Sequence, residues 1–256
     1  MDNGQKRGRF PVFHVPHDGA VFPAELLRSV CVPRERFLHY HEKMRDLGAP
    51  EMVPRRWRDP AHTLRFPVSR LLCDVERFLG PEEPMERHGM GFCYERAYDG
   101  TRIKELSEEL KRDTLAYFRQ HHARLDRLCG EHPRILLIDL HSFSDELVPR
   151  EQLRHGRRTP ELCLGLDGRF TPEELAAAAE RIMGEAGFAT ARNYPYSGSL
   201  VPGAVLAGRC GCDCVSIMLE WNRRAFCSED GSPAEDKLER IQSAIERLVE
   251  AGRELG

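Results

Sequence analysis

The stretch Arg134–Leu140, RILLIDL, decides the reading of the fold. It has the length of one strand and is apolar almost throughout. A strand with one wet face would alternate apolar and polar residues. A near-continuous run instead suits a strand covered on both faces, as in an α/β sheet. His141 and Ser142 follow at once, so a titratable side chain leaves the strand's carboxyl end.

Working outward, the spacing of Leu106, Leu110, Leu115, Phe118, Leu125 and Leu128 predicts an amphipathic helix over Lys104–Cys129, stopped by Gly130 with Pro133 beyond. Phe10–Val15 (FPVFHV) is aromatic and β-branched and ends at Pro16, so it reads as a buried strand delivering a loop with His17. Downstream, Thr171 is the expected cap of a helix that opens on Pro172, with Glu174 completing a capping box. Phe188–Ala191 and Cys214–Leu219 read as further strands, the second continuing into Glu220. Ser232–Pro233–Ala234–Glu235 repeats the cap logic before a last helix to about Ala251. Strands alternating with helices predict a mainly parallel or mixed central sheet flanked by helices. With 256 residues, no internal repeat and no long linker, one domain over 10–256 is expected behind a flexible segment, 1–9.

A formal charge of −3 gives no general reason to bind nucleic acid or an anionic membrane. The basic run Arg154–Arg158 reads as a solvated loop. No stretch reaches the roughly 20 apolar residues of a membrane-spanning helix, and Met1–Arg9 lacks the apolar centre of a secretory signal. A cytoplasmic chain with mainly reduced cysteines is therefore the expectation. Cys210, Cys212 and Cys214 alternate, but lack the CxxC knuckles of a zinc site, so they read as buried or half-buried thiols.

The chemistry-bearing residues gather in a few short segments: His14-Val-Pro-His17-Asp18, Asp46, Asp74-Val-Glu76-Arg77, Asp139-Leu-His141 and Glu220-Trp-Asn-Arg223. A hydrolytic zinc ion takes about three His or carboxylate ligands and keeps one position open. A separate carboxylate then moves the proton, and an arginine fork matches an acidic substrate. The residue types suffice for that mechanism, although each alone also suits a cap, a turn or a core hydrogen bond. Ser142 lacks a GxSxG elbow, and no dinucleotide GxGxxG follows a strand. Tyr94 and Tyr98 read first as packing residues, and NYPYSGSLVP as a shaped loop, either a plain turn or an anion-facing one.

HVPHDGAVFP, VSRLLCDVERF, GMGFCYERAYDGTRI, IDLHSFSDELVP, TPELCLGLDGRFTPEEL, NYPYSGSLVP and SIMLEWNRRAF, in this order over residues 10–227, resemble the N-formylglutamate amidohydrolase family. That family is in turn similar to zinc carboxypeptidases and aspartoacylases. The resemblance implies a zinc carboxypeptidase-like architecture and a soluble hydrolase for a small acidic N-acyl amino acid, in histidine catabolism. It implies His17 and His141 as ligands of a divalent metal, zinc by expectation, and Glu220 as the proton-moving catalytic residue. Arg70 becomes the helper at the scissile carbonyl, and Arg77 with Arg223 the substrate-binding arginines. Two positions depart from the wider pattern. No Glu stands three residues after His17, so Asp46 is taken as third ligand over His14 and Asp74. Glu76 replaces an Asn, where an acid can weaken anion binding or join the metal.

Overall fold

The structure is a computed structural model describing residues 8–80, 82–156 and 158–255. Its strands are β1 (Phe10–Val15), β2 (Thr63–Arg65), β3 (Arg134–Phe143), β4 (Leu162–Gly165), β5 (Thr190–Arg192) and β6 (Asp213–Asn222). The helices are α1 (Ala24–Leu27), α2 (Arg34–Met44), α3 (Ala49–Met52), α4 (Glu108–Gly130), α5 (Glu173–Glu185), α6 (Gly203–Leu206) and α7 (Glu235–Arg253). One six-stranded sheet runs β2-β1-β3-β6-β4-β5. β2, β1, β3 and β6 are mutually parallel; β4 meets β6 antiparallel and carries β5 parallel to itself. The fold is thus a mixed, mostly parallel sheet flanked by helices.

The apolar run of β3 is buried on both faces, as its composition requires. Leu136, Ile138 and Leu140 join Phe13, Ile217 and Trp221 in a core shared with α5 and α7. On the opposite face Ile135 and Leu137 pack with Val12 and with Leu125 and Cys129 of α4. Period-2 alternation continues that second face into Asp139 and His141. One sheet face therefore turns from apolar to titratable towards its carboxyl end. A third cluster, including Phe37 and Tyr40 of α2, Leu72, Tyr94 and Phe118, walls that end.

Several expected boundaries move. β3 runs on to Phe143 and β6 to Asn222, so His141 and Glu220 lie inside paired strands, opposite each other, rather than on exit loops. α4 starts at Glu108, because Ser107 caps it by accepting the Leu110 N–H at 3.1 Å. Lys104 and Leu106 precede the helix, and Lys104 is fully buried, its Nζ donating to the Leu72 carbonyl. Thr171 does not cap α5; its hydroxyl donates to the Ser216 carbonyl at 2.6 Å, and Pro172 takes the cap position. Ser232 turns to Asp230, leaving Ala234 before α7. β5 begins two residues later than expected, and Phe188 packs in the core.

The expected flexible segment, for residues 1–7, lies outside the described residues. Arg9 corrects the expectation at its end: it is buried and donates to Asp213 Oδ2 at 2.8 Å and to the Asp213 carbonyl at 2.9 Å. Arg157 of the basic run is also outside them, while Arg154, His155 and Arg158 are exposed. Cys214 is buried in β6; Cys210 and Cys212 are half-buried before it, against the same core. Among the described residues no helix is long and apolar enough to cross a membrane.

Candidate active site

The carboxyl ends of β1, β3 and β6 supply the site. β1 ends in His14-Val15 and the chain turns at Pro16 to present His17. Gly19 is required just after: a Cβ there would meet the Phe66 and Val68 carbonyl oxygens and the Pro67 carbonyl carbon at 2.5 Å. The chain past His17 thus lies directly on the 66–68 backbone. α2 ends one residue before Arg45, and the Asp46 N–H donates to the His17 carbonyl at 3.1 Å. That bond sets Asp46 beside His17 although 28 residues separate them in α2 and its approach.

His17, Asp46 and His141, all buried, bring one ligand atom each within 4.8 Å of one another. Asp46 Oδ2 is 2.9 Å from His141 Nδ1 and 3.6 Å from His17 Nδ1. A tetrahedral zinc with bonds of ~2.0–2.1 Å would set its ligand atoms about 3.3 Å apart, so this donor set fits one divalent ion. Asp74 fixes the tautomer of His17. Its carboxylate only accepts, so the His17 Nε2 at 2.9 Å carries the proton. His17 Nδ1 is then left with a lone pair, and it is buried with no hydrogen-bond partner. A buried acceptor with nothing to accept from is what a carboxylate–histidine–metal arrangement would present to an ion.

Asp74 also gathers the arginines. Its Oδ2 accepts from Arg70 Nη2 at 3.0 Å and from the Tyr94 hydroxyl at 2.8 Å, with Arg77 Nε at 3.4 Å. Burial pushes its carboxyl up, but the His17 imidazole and the Arg77 and Arg70 charges win and hold it far below the usual carboxylate range. Arg70 spends its other arm on Asp46 Oδ1 at 3.0 Å. Arg77 donates to Tyr94 at 3.2 Å and stays about a quarter exposed (23 %).

Glu220 carries no hydrogen bond from the described residues. Burial, joined by the Asp46 and Glu76 charges and opposed by His141 and Arg70, raises its carboxyl to about 8. It opens on a cavity of about 530 Å³, with His17, Arg77, Tyr98, His141 and Tyr196 among the other lining residues. Burial and the Glu220 charge push the Tyr196 phenol up as well.

The residues expected to hold metal thus meet at one point, with Glu220 across the β3–β6 register from His141. Arg70 and Arg77 flank them through Asp74. Arg223 lines the cavity, but its Nη2 donates to the Lys43 and Arg45 carbonyls at 3.1 and 2.5 Å, so that arm holds the end of α2. Tyr94 both packs and hydrogen-bonds, being buried against Asp74 and Arg77. His121 went unnoticed in the sequence: its Nε2 is 2.8 Å from His14 Nε2. The signal was present, since His121 falls on the buried stripe of α4 between Phe118 and Leu125.

A sheet that gathers buried histidines, carboxylates and arginines around one cavity supplies the groups that a hydrolytic enzyme uses. The model of the N-formylglutamate amidohydrolase family matches residues 11–227. The chain belongs to that family and is an amidohydrolase. Among solved structures it is similar to an N-formylglutamate amidohydrolase from Ralstonia eutropha JMP134, at 20% identity and a TM-score of 0.75, over 97% of this chain and 96% of that one. It is also similar to a gene product of Agrobacterium tumefaciens, at 18% identity and a TM-score of 0.62, over 96% and 91% of the two chains. At these identities the likeness is one of fold. Comparison with curated proteins finds no match.

Proposed function

We propose that the protein hydrolyses a small N-acyl amino acid, N-formyl-L-glutamate first, to formate and L-glutamate at a divalent-metal site, with zinc the first candidate. The observation that carries this reading is the His17–Asp46–His141 group, with His17 Nδ1 buried and unpaired and Glu220 beside it. His17, Asp46 and His141 would hold the cation, which when bound polarises the acyl carbonyl and acidifies the attacking water.

The chain's own side chains do the rest. Glu220 takes the proton from the attacking water and returns it to the leaving nitrogen. A carboxyl raised to about 8 holds and releases a proton near neutral pH. Arg77, reaching the cavity from its anchor on Asp74 and Tyr94, binds the substrate carboxylate. Arg70, tied to both Asp46 and Asp74, adds fixed positive charge near the developing oxyanion. Arg223 positions the Lys43–Arg45 backbone at the cavity wall and stands as a second arginine toward the substrate.

A related reading takes the same chemistry to a different N-acyl substrate. Met44, Met85, Met90 and Met218 line the cavity, and adaptable thioethers suit a bulkier group. The test is metal analysis of the purified protein with assays of formate, acetate and succinate release from acidic and apolar N-acyl amino acids. Formate release confined to N-formylglutamate supports the first reading. Preference for a larger acyl group or an apolar amino acid replaces it with the second.

A further inference from the structure

Beside the His17–Asp46–His141 group stands another of ligand type. His14, Glu76 and Asp139 bring one ligand atom each within 4.8 Å of one another. His14 Nδ1 is 2.9 Å from Asp139 Oδ1 and 3.4 Å from Glu76 Oε1. Two carboxylates join this group to the first. Glu76 turns Oε1 to His14 and Oε2 to the other side, 3.2 Å from His141 Nε2 and 3.7 Å from His17 Nδ1. Asp139 Oδ1 lies 3.2 Å from the same His141 Nε2. That nitrogen is buried, has no hydrogen-bond partner, and lies close to both carboxylates.

His121 closes the far side of His14, with 2.8 Å between their Nε2 atoms. One proton lies between these two Nε2 atoms, and the Nδ1 of His14 faces two carboxylates. A ring nitrogen so placed needs a cation in front of it, either a proton or a metal ion. A partner on the opposite ring nitrogen is what orients a metal-binding histidine.

We propose that His14, Glu76 and Asp139 hold a second divalent cation, with Glu76 as the carboxylate shared between two ions. The proposal rests on the metal reading of the first group and extends it to a two-cation centre. A carboxylate with one oxygen facing each ion suits hydrolytic sites that clamp both the attacking and the leaving atoms. Its oxygen-rich donor set takes Zn²⁺ or Mn²⁺.

The test is stoichiometry. Chelator-stripped protein is loaded with Zn²⁺ or Mn²⁺ and desalted, bound metal per chain is measured by elemental mass spectrometry, and Mn²⁺ coupling by EPR. Two ions per wild-type chain and a coupled Mn²⁺ spectrum are expected. Glu76→Gln, His14→Gln and Asp139→Asn should each hold one ion with an uncoupled spectrum, and thermal melts select the variants that fold. One ion in wild type, unchanged in the folded variants and lost in Asp46→Asn, overturns the second site and leaves the first standing. The cation facing His14 would then be a proton. No ion in wild type removes both sites together.

Discussion

Asp74→Asn is the most searching perturbation of this site. The wild-type carboxylate is fully buried and accepts from His17 Nε2, the Glu76 N–H, Arg70 and the Tyr94 hydroxyl, with Arg77 close by. Asparagine keeps the shape but turns one oxygen into a donor. Whichever way it sits, that donor faces either His17 or the Arg70–Tyr94 pair, and the two arginines lose their common countercharge. Breaking a buried ion pair from one side costs about 3–5 kcal/mol. In a chain of this length each kcal/mol moves the midpoint by about 2–4 °C, so the melting temperature should fall by about 6–20 °C. His17 also loses the anionic acceptor that fixes its tautomer, which should weaken metal binding by about 10–100-fold. The sign with pH follows from the depressed carboxyl. Its stabilisation is complete above the unfolded value of 3.8 and is lost as pH falls below it through the folded value. The gap between variant and wild type should therefore be flat from pH 6 to 8 and narrow in strong acid. Circular-dichroism melts with and without chelator, and a competition titration with a chromogenic zinc chelator, read both quantities. A variant melting within about 2 °C of wild type with unchanged zinc affinity would refute the assignment of Asp74 as the anchor.

Glu220→Gln should keep its metal and lose about two or more powers of ten in turnover, read as formate release; undiminished turnover removes Glu220 from proton transfer. Its pH profile should lose the acid limb of kcat/KM, because a base works only when ionised and burial holds this proton up to about 8. In metal-free protein the same raised carboxyl costs stability progressively from about pH 4.5 to about 8, so Glu220→Gln should gain on wild type across that window; a constant difference in melts contradicts the burial argument. Arg77→Ala should raise KM for acidic N-acyl amino acids more than for neutral ones, and equal effects on both in steady-state assays would exclude a carboxylate clamp. Gly19→Ala should cost about 1–3 kcal/mol, since its Cβ would press on three backbone atoms at 2.5 Å that no rotamer change can relieve; wild-type stability in denaturant melts would show that the 66–68 backbone yields.

How far the sequence carries the reader depends on which physical signal each part leaves. β3 and β6 announce themselves because burial on both faces demands unbroken apolar runs, and α4 because a long helix repeats its stripe six times over. β4 leaves no such trace: Leu162–Gly165 is four residues, LCLG, too short for any period to show. Its antiparallel pairing with β6 is likewise set by what lies between them in space, not by its own residues. The N-caps fail because other partners outbid the helix ends, a tertiary one in the Ser216 carbonyl for Thr171 and a local turn partner in Asp230 for Ser232.

The candidate site divides along the same line. That His17, Asp46, His141 and Glu220 are the candidates is legible from residue type and from the ordered motifs around them. Which aspartate touches the metal side of His17 is not. Asp46 and Asp74 are both buried acids from loops near the same histidine, and nothing in their local sequence separates them. The structure separates them by ring atom: Asp74 meets Nε2, while Asp46 sits on the Nδ1 side, 3.6 Å away and 2.9 Å from His141. The backbone bond from Asp46 to His17 joins residues far apart in sequence, so local sequence does not announce it. Two aspartates at one histidine can thus take opposite positions around its ring. The difference between them is a direction in space, set by tertiary packing around an imidazole that offers two opposite faces.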